Sequence, residues 1–167
     1  YMKRWLLGLA VALVWAFPAV GDAKVSLDRE KYGDFEYEAE AEWNYDGWLE
    51  IETKAKFFRD KGLMRKTLKL EIDGSWWDYR GAVTQIEMQV NGGASVLLDR
   101  VPEVQVSTFG REMTLRLSPE AIDKIASLQA SDQLTFVIVH RDGTRAAMEI
   151  PSWVLAEWLI VYNEPAR

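Results

Sequence analysis

Few residues of this sequence have side chains that usually carry catalysis. Its 167 residues include no cysteine and a single histidine, His140. These counts exclude a thiolate nucleophile, a cysteine metal site and a metal site built from two histidines of one chain. No Gly-x-Ser-x-Gly elbow and no glycine-rich phosphate loop is present, so we expect no cofactor. His140 stands just before Arg141-Asp142-Gly143, and we interpret it as a strand-end residue before a turn.

Carboxylates are the remaining candidates for chemistry. The 26 acidic residues could include a pair suited to a small carboxylate-based hydrolase, although no spacing singles out two of them. Four glutamates are expected on one face of the first hairpin, where like charges destabilise pairing unless solvent or a cation neutralises them. Calcium suits an all-oxygen site, and its candidate ligands are Glu40, Glu42, Glu50 and Glu52. In the alternative interpretation the face is solvated and acids pair with bases across the strands: Glu36 with Lys56 and Glu38 with Lys54.

Aromatic residues form a second candidate site. The chain has eight tryptophans. Tyr45 and Trp48 flank a turn, and the adjacent Trp76 and Trp77 cannot both face one core if their segment is extended. Exposed rings of this kind stack on sugars or anchor a protein interface; alternatively they close the ends of a sandwich. The candidate binding residues are Trp43, Tyr45, Trp48, Trp76, Trp77 and Tyr79.

Charge separates along the chain. Residues 28–52 carry ten acids and two bases, whereas residues 54–69 carry seven bases and one acid, Asp60. Because alternation sends these charges to one face of a sheet, we interpret them as cross-strand pairs. The alternative is a bipolar surface that steers a charged partner.

The first 23 residues have the pattern of a secretory signal peptide. Lys3-Arg4 precede an uncharged run from Trp5 to Phe17, and small residues follow that suit cleavage before Asp22 or Lys24. The run is too short to span a bilayer comfortably, although an uncleaved anchor is the alternative. Cleavage before Lys24 leaves 18 basic and 25 acidic residues, a poor balance for nucleic-acid binding. We therefore predict an exported protein, periplasmic or extracellular, with one domain over residues 24–167.

Alternating patterns predict strands in the first half of this domain. Apolar residues occupy the odd positions of residues 35–43 and of residues 49–57, with charged residues between them. A three-residue loop, Tyr45-Asp46-Gly47, keeps the two apolar faces together and places its glycine last. This alignment puts Trp43 opposite Leu49, Glu42 opposite Glu50 and Glu40 opposite Glu52.

The second half adds shorter strands and two helices. Asn91-Gly92-Gly93 predicts a hairpin, and the apolar run Leu134–Val139 predicts a central strand covered on both faces. Ser118-Pro119-Glu120 is a helix start signal, and an apolar face predicts a second helix from about Ser152 to Tyr162. The predicted fold is mainly β (α+β): an antiparallel β-sandwich of hairpins with two short helices near the carboxyl terminus.

The order of elements over roughly residues 103–162 resembles the carboxyl half of the invasion-associated locus B family of exported bacterial proteins. The elements that carry the resemblance are strands at Glu103–Thr108 and Arg111–Leu117, a helix opening at Ser118-Pro119-Glu120-Ala121-Ile122, a strand at Gln133–Val139, a turn at Arg141-Asp142-Gly143, a strand at Ala146–Pro151 and a closing helix at Trp153–Trp158. The resemblance implies an exported β-sandwich without known catalytic residues. That family usually carries cysteines, which this chain lacks, and no functional residue is transferred.

Together these features favour an exported, non-enzymatic binding or accessory protein of the cell envelope that acts through protein–protein contacts. One alternative is a glycan-binding module that uses the aromatic residues named above. Another is the carboxylate-based hydrolase. The expected partner is an envelope protein or a glycan, and neither nucleic acid nor a lasting membrane span is expected.

The export hypothesis makes a direct prediction about the amino terminus. Protein purified from its native cells should begin at Asp22 or Lys24, because the small residues before these positions suit signal peptidase. Mass spectrometry of the intact protein measures this. An intact residue 1–23 segment, embedded in a bilayer or folded into the domain, would contradict the prediction.

Overall fold

The computed structural model describes residues 24–29, 34–45, 49–73, 82–100, 102–107 and 112–163. The proposed signal segment lies outside these residues. Ten strands and two helices are described: β1 (Lys24–Arg29), β2 (Phe35–Tyr45), β3 (Leu49–Asp60), β4 (Leu63–Asp73), β5 (Val83–Val90), β6 (Val96–Asp99), β7 (Glu103–Val106), β8 (Glu112–Arg116), α1 (Pro119–Ala126), β9 (Leu134–His140), β10 (Arg145–Ile150) and α2 (Ser152–Asn163).

The strands form two antiparallel sheets. The first has the order β1-β2-β3-β4-β8-β7, and the second has the order β10-β9-β5-β6. The predicted fold class, mainly β with two short helices near the carboxyl terminus, is confirmed. Strand β9 is central in its sheet, and Phe136, Val137 and Ile138 are all buried, as the apolar run predicts.

The faces of the first hairpin are as predicted, but its alignment is not. Trp43 lies opposite Ile51 and Tyr45 lies opposite Leu49, so the connection is residues 46–48 and the pairing is shifted by two positions. A shift of two keeps every side chain on its face, which is why alternation could not detect it. Tyr45, which was predicted in the loop, is the last residue of β2. Its hydroxyl donates to the Ala147 carbonyl of β10 at 2.6 Å and so connects this end of β2 to the second sheet.

Two tight turns have the backbone geometry of two-residue hairpins. Asn91 and Gly92 have φ values of 54° and 68°, which confirms the predicted turn between β5 and β6. Lys61 and Gly62 have φ values of 48° and 81° and join β3 to β4. Positive φ at both central positions matches the right-handed twist of the flanking strands.

Helix α1 begins at the predicted signal. The Ala121 amide donates to the Ser118 hydroxyl at 3.3 Å, and Pro119 occupies the first turn, where its missing N–H leaves no helical bond unmade. The Ser118 amide in turn donates to Asp99 at 2.7 Å. This bond anchors the start of α1 to the end of β6.

Helix α2 is apolar nearly all round, and such a helix needs cover on every side. It packs against β2 and β3 of the first sheet, where the inward residues Ala39, Ala41 and Ala55 are small and buried. On the other side, the fully buried Trp158 stacks on Phe136 of the second sheet, with ring centroids 6.1 Å apart. Alanines on one sheet therefore make room for a tryptophan that reaches the other.

Removing that ring should destabilise the protein severely. We expect Trp158→Ala to lower the free energy of unfolding by about 3–5 kcal/mol, because it leaves a large cavity between the sheets. Urea denaturation followed by circular dichroism measures the change. The matched control is Ile160→Ala on the same helix, because Ile160 is 48% exposed and its truncation should cost below about 1 kcal/mol. Equal losses in the two variants would contradict this account of the core.

Candidate functional site

An open groove of about 920 Å³ lies beside the β3–β4 hairpin and the start of α1. Six of its lining residues are cationic and two are acidic. Five of the six cations are ion-paired, Lys54 and Lys56 with glutamates of β2, Lys66 with Asp123, Lys69 with Glu71 and Arg116 with Glu103, and Arg65 has no ion pair among the described residues. The cations are Lys54, Lys56, Arg65, Lys66, Lys69 and Arg116, and the acids are Glu103 and Asp123.

Strand register builds a row of cations along one side of the groove. Lys54, Lys69 and Arg116 lie directly opposite one another on β3, β4 and β8. Like charges in this arrangement repel, and acids at both ends of the row offset part of the repulsion. Glu40 pairs with Lys54 at one end, and Glu103 pairs with Arg116 at 3.4 Å at the other.

The acids on β2 hold the two β3 lysines in their charged form. The Glu40 carboxylate bonds to Lys54, which raises the pKa of the lysine and lowers that of Glu40. The Glu36 and Glu38 carboxylates lie 2.7 Å and 2.6 Å from the Lys56 ammonium and raise its pKa. Both lysines therefore stay charged to a higher pH than a free lysine, each beside a charged glutamate.

Apolar side chains line the rest of the groove. Met64 is 57% exposed, and the ammonium of Lys66 lies 5.5 Å from the centre of the Phe57 ring, within the range of a cation–π contact. Lys66 also pairs with Asp123 of α1 at 3.3 Å. The groove thus combines apolar contact area with fixed positive charge. Its apolar lining residues are Phe57, Met64, Leu68, Leu117 and Pro119.

Two of the six predicted aromatic residues can be placed. Trp43 and Tyr45 are half-buried and pack against the core, and both belong to the core-facing parity of β2. Neither lines the groove. Trp48, Trp76, Trp77 and Tyr79 lie outside the described residues, so a binding role for them stays a prediction.

The predicted glutamate cluster is not assembled as expected. Because the register shifts, Glu42 lies opposite Glu52, Glu40 lies opposite Lys54, and Glu50 lies opposite Asn44. Proximity to Glu42 raises the pKa of Glu50, but over the described residues no group of three or more acidic or histidine side chains is placed to hold a metal. The expected oppositions of Glu42 with Glu50 and of Glu40 with Glu52 are therefore wrong.

The charge pattern has both of the predicted components. Cross-strand ion pairs join β2 to β3 and include both predicted pairs, Glu36 with Lys56 at 2.7 Å and Glu38 with Lys54 at 4.0 Å. The register adds a pair between Glu38 and Lys56, which lie directly opposite each other. Beyond Lys54 the same face turns acidic. Its acidic end consists of two cross-strand rows, Glu42-Glu52-Glu71 and Glu50-Asp73-Glu112. The face is thus bipolar, and steering of a partner by it stays a prediction.

The sequence analysis missed the residues that complete the groove. Arg116, Leu117 and Asp123 come from a segment more than forty residues beyond the β3–β4 hairpin. They reach it because β8 pairs with β4 across a long connection. No local pattern marks that pairing. The excess of cations at residues 54–69 was the only signal for the groove.

A second cluster lies on the outer face of the other sheet. Arg145 donates to the Glu87 carboxylate through both terminal nitrogens, one of them at 3.0 Å, and Ser95 donates to the same carboxylate. These bonds lower the pKa of Glu87 to about 2. Glu87 lies opposite the buried Val137 and Arg145 lies opposite Val139, so the pair crosses β9 diagonally. We interpret it as a clamp between β5 and β10.

His140 is the last residue of β9 and is buried. This confirms the strand-end interpretation. The turn that follows is also as predicted, since Gly143 has a φ of 85° and its amide donates to the His140 carbonyl at 2.9 Å.

Comparison with known proteins gives no relative. No family model, curated protein or solved structure matches the chain significantly. The resemblance to the invasion-associated locus B family accordingly stays a prediction. Neither α1 nor α2 is long and apolar enough to cross a membrane, and these are the helices among the described residues.

The Glu87–Arg145 clamp should make stability depend on acid. Because the folded-state pKa of Glu87 lies below its ordinary value of 4.5, its contribution is complete above about pH 4.5 and is lost as the pH falls through 2. We expect native protein to lose more stability between pH 5 and about pH 2.5 than Glu87→Gln does. Denaturant midpoints at the two pH values measure this. Equal losses would show that the pair does not stabilise the fold.

Proposed function

We propose that this protein is an exported, non-enzymatic binding domain that holds an acidic region of a partner protein in the groove beside β4. The observation that carries the proposal is the concentration of six cations along one groove of an acidic protein, with Arg65 exposed and without an ion pair among the described residues. The pattern of residues 1–23 supports export, and an envelope protein is then the expected partner.

The shape and the surroundings of the positive charge favour a protein over a nucleic acid. A nucleic-acid backbone carries charge continuously along its length, whereas the basic row ends against the acidic rows that begin at Glu52 and Glu71. Phosphates beyond the groove would meet these carboxylates. The apolar contact area of Phe57, Met64 and Leu117 instead suits the side chains of a protein segment.

The state of the carboxyls in the groove favours binding over hydrolysis. A carboxylate-based hydrolase needs two acids that converge on one bond. Asp123 pairs with Lys66 at 3.3 Å, and Glu103 pairs with Arg116 at 3.4 Å, so each acid neutralises a cation of the groove. The glycan alternative depends on the aromatic residues, of which Trp43 and Tyr45 pack on the core.

Neutralising the basic row should abolish capture of the partner. We expect the immobilised native protein to retain an acidic envelope protein that the Lys69→Gln/Arg116→Gln variant does not retain. The variant should bind this partner at least tenfold more weakly, a loss of about 1.4 kcal/mol of binding free energy. Quantitative mass spectrometry of proteins retained from an envelope extract identifies the partner. Titration with the purified partner then gives the affinity.

The matched control is Arg100→Gln/Arg141→Gln, which removes the same charge from exposed positions outside the groove. It should retain the partner with nearly native affinity. The proposed function fails if both double variants retain the same proteins, or if the retained partner is basic. A substrate turned over by purified protein would also overturn it.

A further inference from the structure

Strand β4 has a neighbour along its whole length on one side only. It pairs with β3 from Leu63 to Asp73, but with β8 only from Lys69 to Asp73. Within the described ranges, no strand lies against residues 63–67 on the β8 side. An open strand edge of this kind is a template for another extended chain.

The backbone groups on this edge face the groove. The Leu117 amide donates to the Leu68 carbonyl at 3.1 Å, which fixes the direction of the Leu68 backbone toward the β8 side. Because alternate residues of a paired strand direct their N–H and C=O groups to the same side, those of Lys66 and Met64 point that way too. The groove therefore offers two donors and two acceptors in the spacing of a β-ladder.

Side chains along the same edge define what an added strand must carry. On the outer face lie Arg65 and the ion-paired Lys56 and Arg116. Met64 and Phe57 lie on the opposite parity, together with Lys66, which pairs with Asp123. A strand laid beside β4 sends successive side chains to these two faces in turn. Acidic residues would meet the cations, and apolar residues would meet Met64 and Phe57.

The same charges disfavour pairing with a second copy of this edge. Two β4 strands side by side would bring Arg65 and Lys66 against their own equivalents, and like charges opposite one another are destabilising. Basic residues on an exposed edge commonly prevent such self-association. An acidic strand relieves this repulsion.

We propose that the groove binds its partner by strand addition: an extended segment of the partner, with alternating acidic and apolar side chains, pairs with the free half of β4 at Leu63–Thr67. This inference rests on the proposed function and specifies its mode of recognition. Main-chain hydrogen bonds to Met64 and Lys66 supply affinity, and the two faces supply specificity.

Synthetic peptides test the alternation of side chains and the main-chain hydrogen bonds to β4 separately. The probe is a fluorescein-labelled nine-residue peptide in which glutamate and valine alternate, and its binding is followed by fluorescence anisotropy. We expect a peptide of the same composition with its glutamates grouped to bind at least tenfold more weakly. N-methylation of alternate amides in one of the two possible phases should weaken binding at least tenfold, because only one phase faces β4.

Variants of β4 test the main-chain hydrogen bond from the Met64 N–H to the peptide. Met64→Pro removes the edge-facing N–H, and Met64→Ala is the matched control that keeps it while removing the side chain. We expect Met64→Pro to bind the alternating peptide at least tenfold more weakly than Met64→Ala. In native protein, the peptide should slow hydrogen exchange at the amides of Met64 and Lys66 and leave that of Arg65, already bonded to β3, unchanged.

The outcomes separate this inference from the proposed function. Strand addition is overturned if the alternating peptide does not bind, if grouping the glutamates leaves its affinity unchanged, or if N-methylation weakens binding in neither of the two phases. The proposed function still stands in that case if the Lys69→Gln/Arg116→Gln variant loses its acidic partner. Because the methylated peptides use native protein, the test holds even if Met64→Pro fails to fold.

Discussion

The fold depends on covering a helix that is apolar over most of its surface. Helix α2 can be stable only with apolar surface around it, and the two sheets provide this surface from opposite sides. Buried alanines on β2 and β3 let its backbone approach the first sheet, and Phe136 meets Trp158 on the second. Helix α2 therefore contacts both sheets of the fold, the first through β2 and β3 and the second through Phe136.

The sequence predicts the features that neighbouring residues determine and misses those that depend on residues far apart in the chain. Alternation identifies the faces of β2 and β3, and Ser118-Pro119 identifies the start of α1, because these patterns are set by neighbouring residues. The register of the first hairpin is not determined in this way. Alignments that differ by two residues bury the same face, and the bond from Tyr45 to Ala147 spans 102 residues.

The groove could not be predicted from the sequence because it too depends on a long-range contact. Its cations from Lys54 to Lys69 are visible as a charged run, but Arg116 joins them only through the pairing of β4 with β8. That pairing connects elements separated by an entire hairpin of the other sheet. An exposed ion pair contributes about 0–1 kcal/mol, so folding does not require three cations in one row. Each cation of the row has a carboxylate partner, Glu40, Glu71 or Glu103, and the proposed function gives the row its role.

A mismatch in strand length creates that edge. Strand β4 has eleven residues and β8 has five, because the helix signal at Ser118-Pro119 turns the chain away from the sheet just after Arg116. In the observed register, residues 118–122 would lie opposite Leu63–Thr67 if β8 continued, and they would close the edge with ordinary backbone hydrogen bonds. Instead the chain starts α1, whose cap is secured by Asp99 of the other sheet, and the first half of β4 keeps unpaired backbone groups beside Arg65 and Lys66. The same capping contact that ties the helix to the second sheet thus leaves this edge of the first sheet without a neighbouring strand.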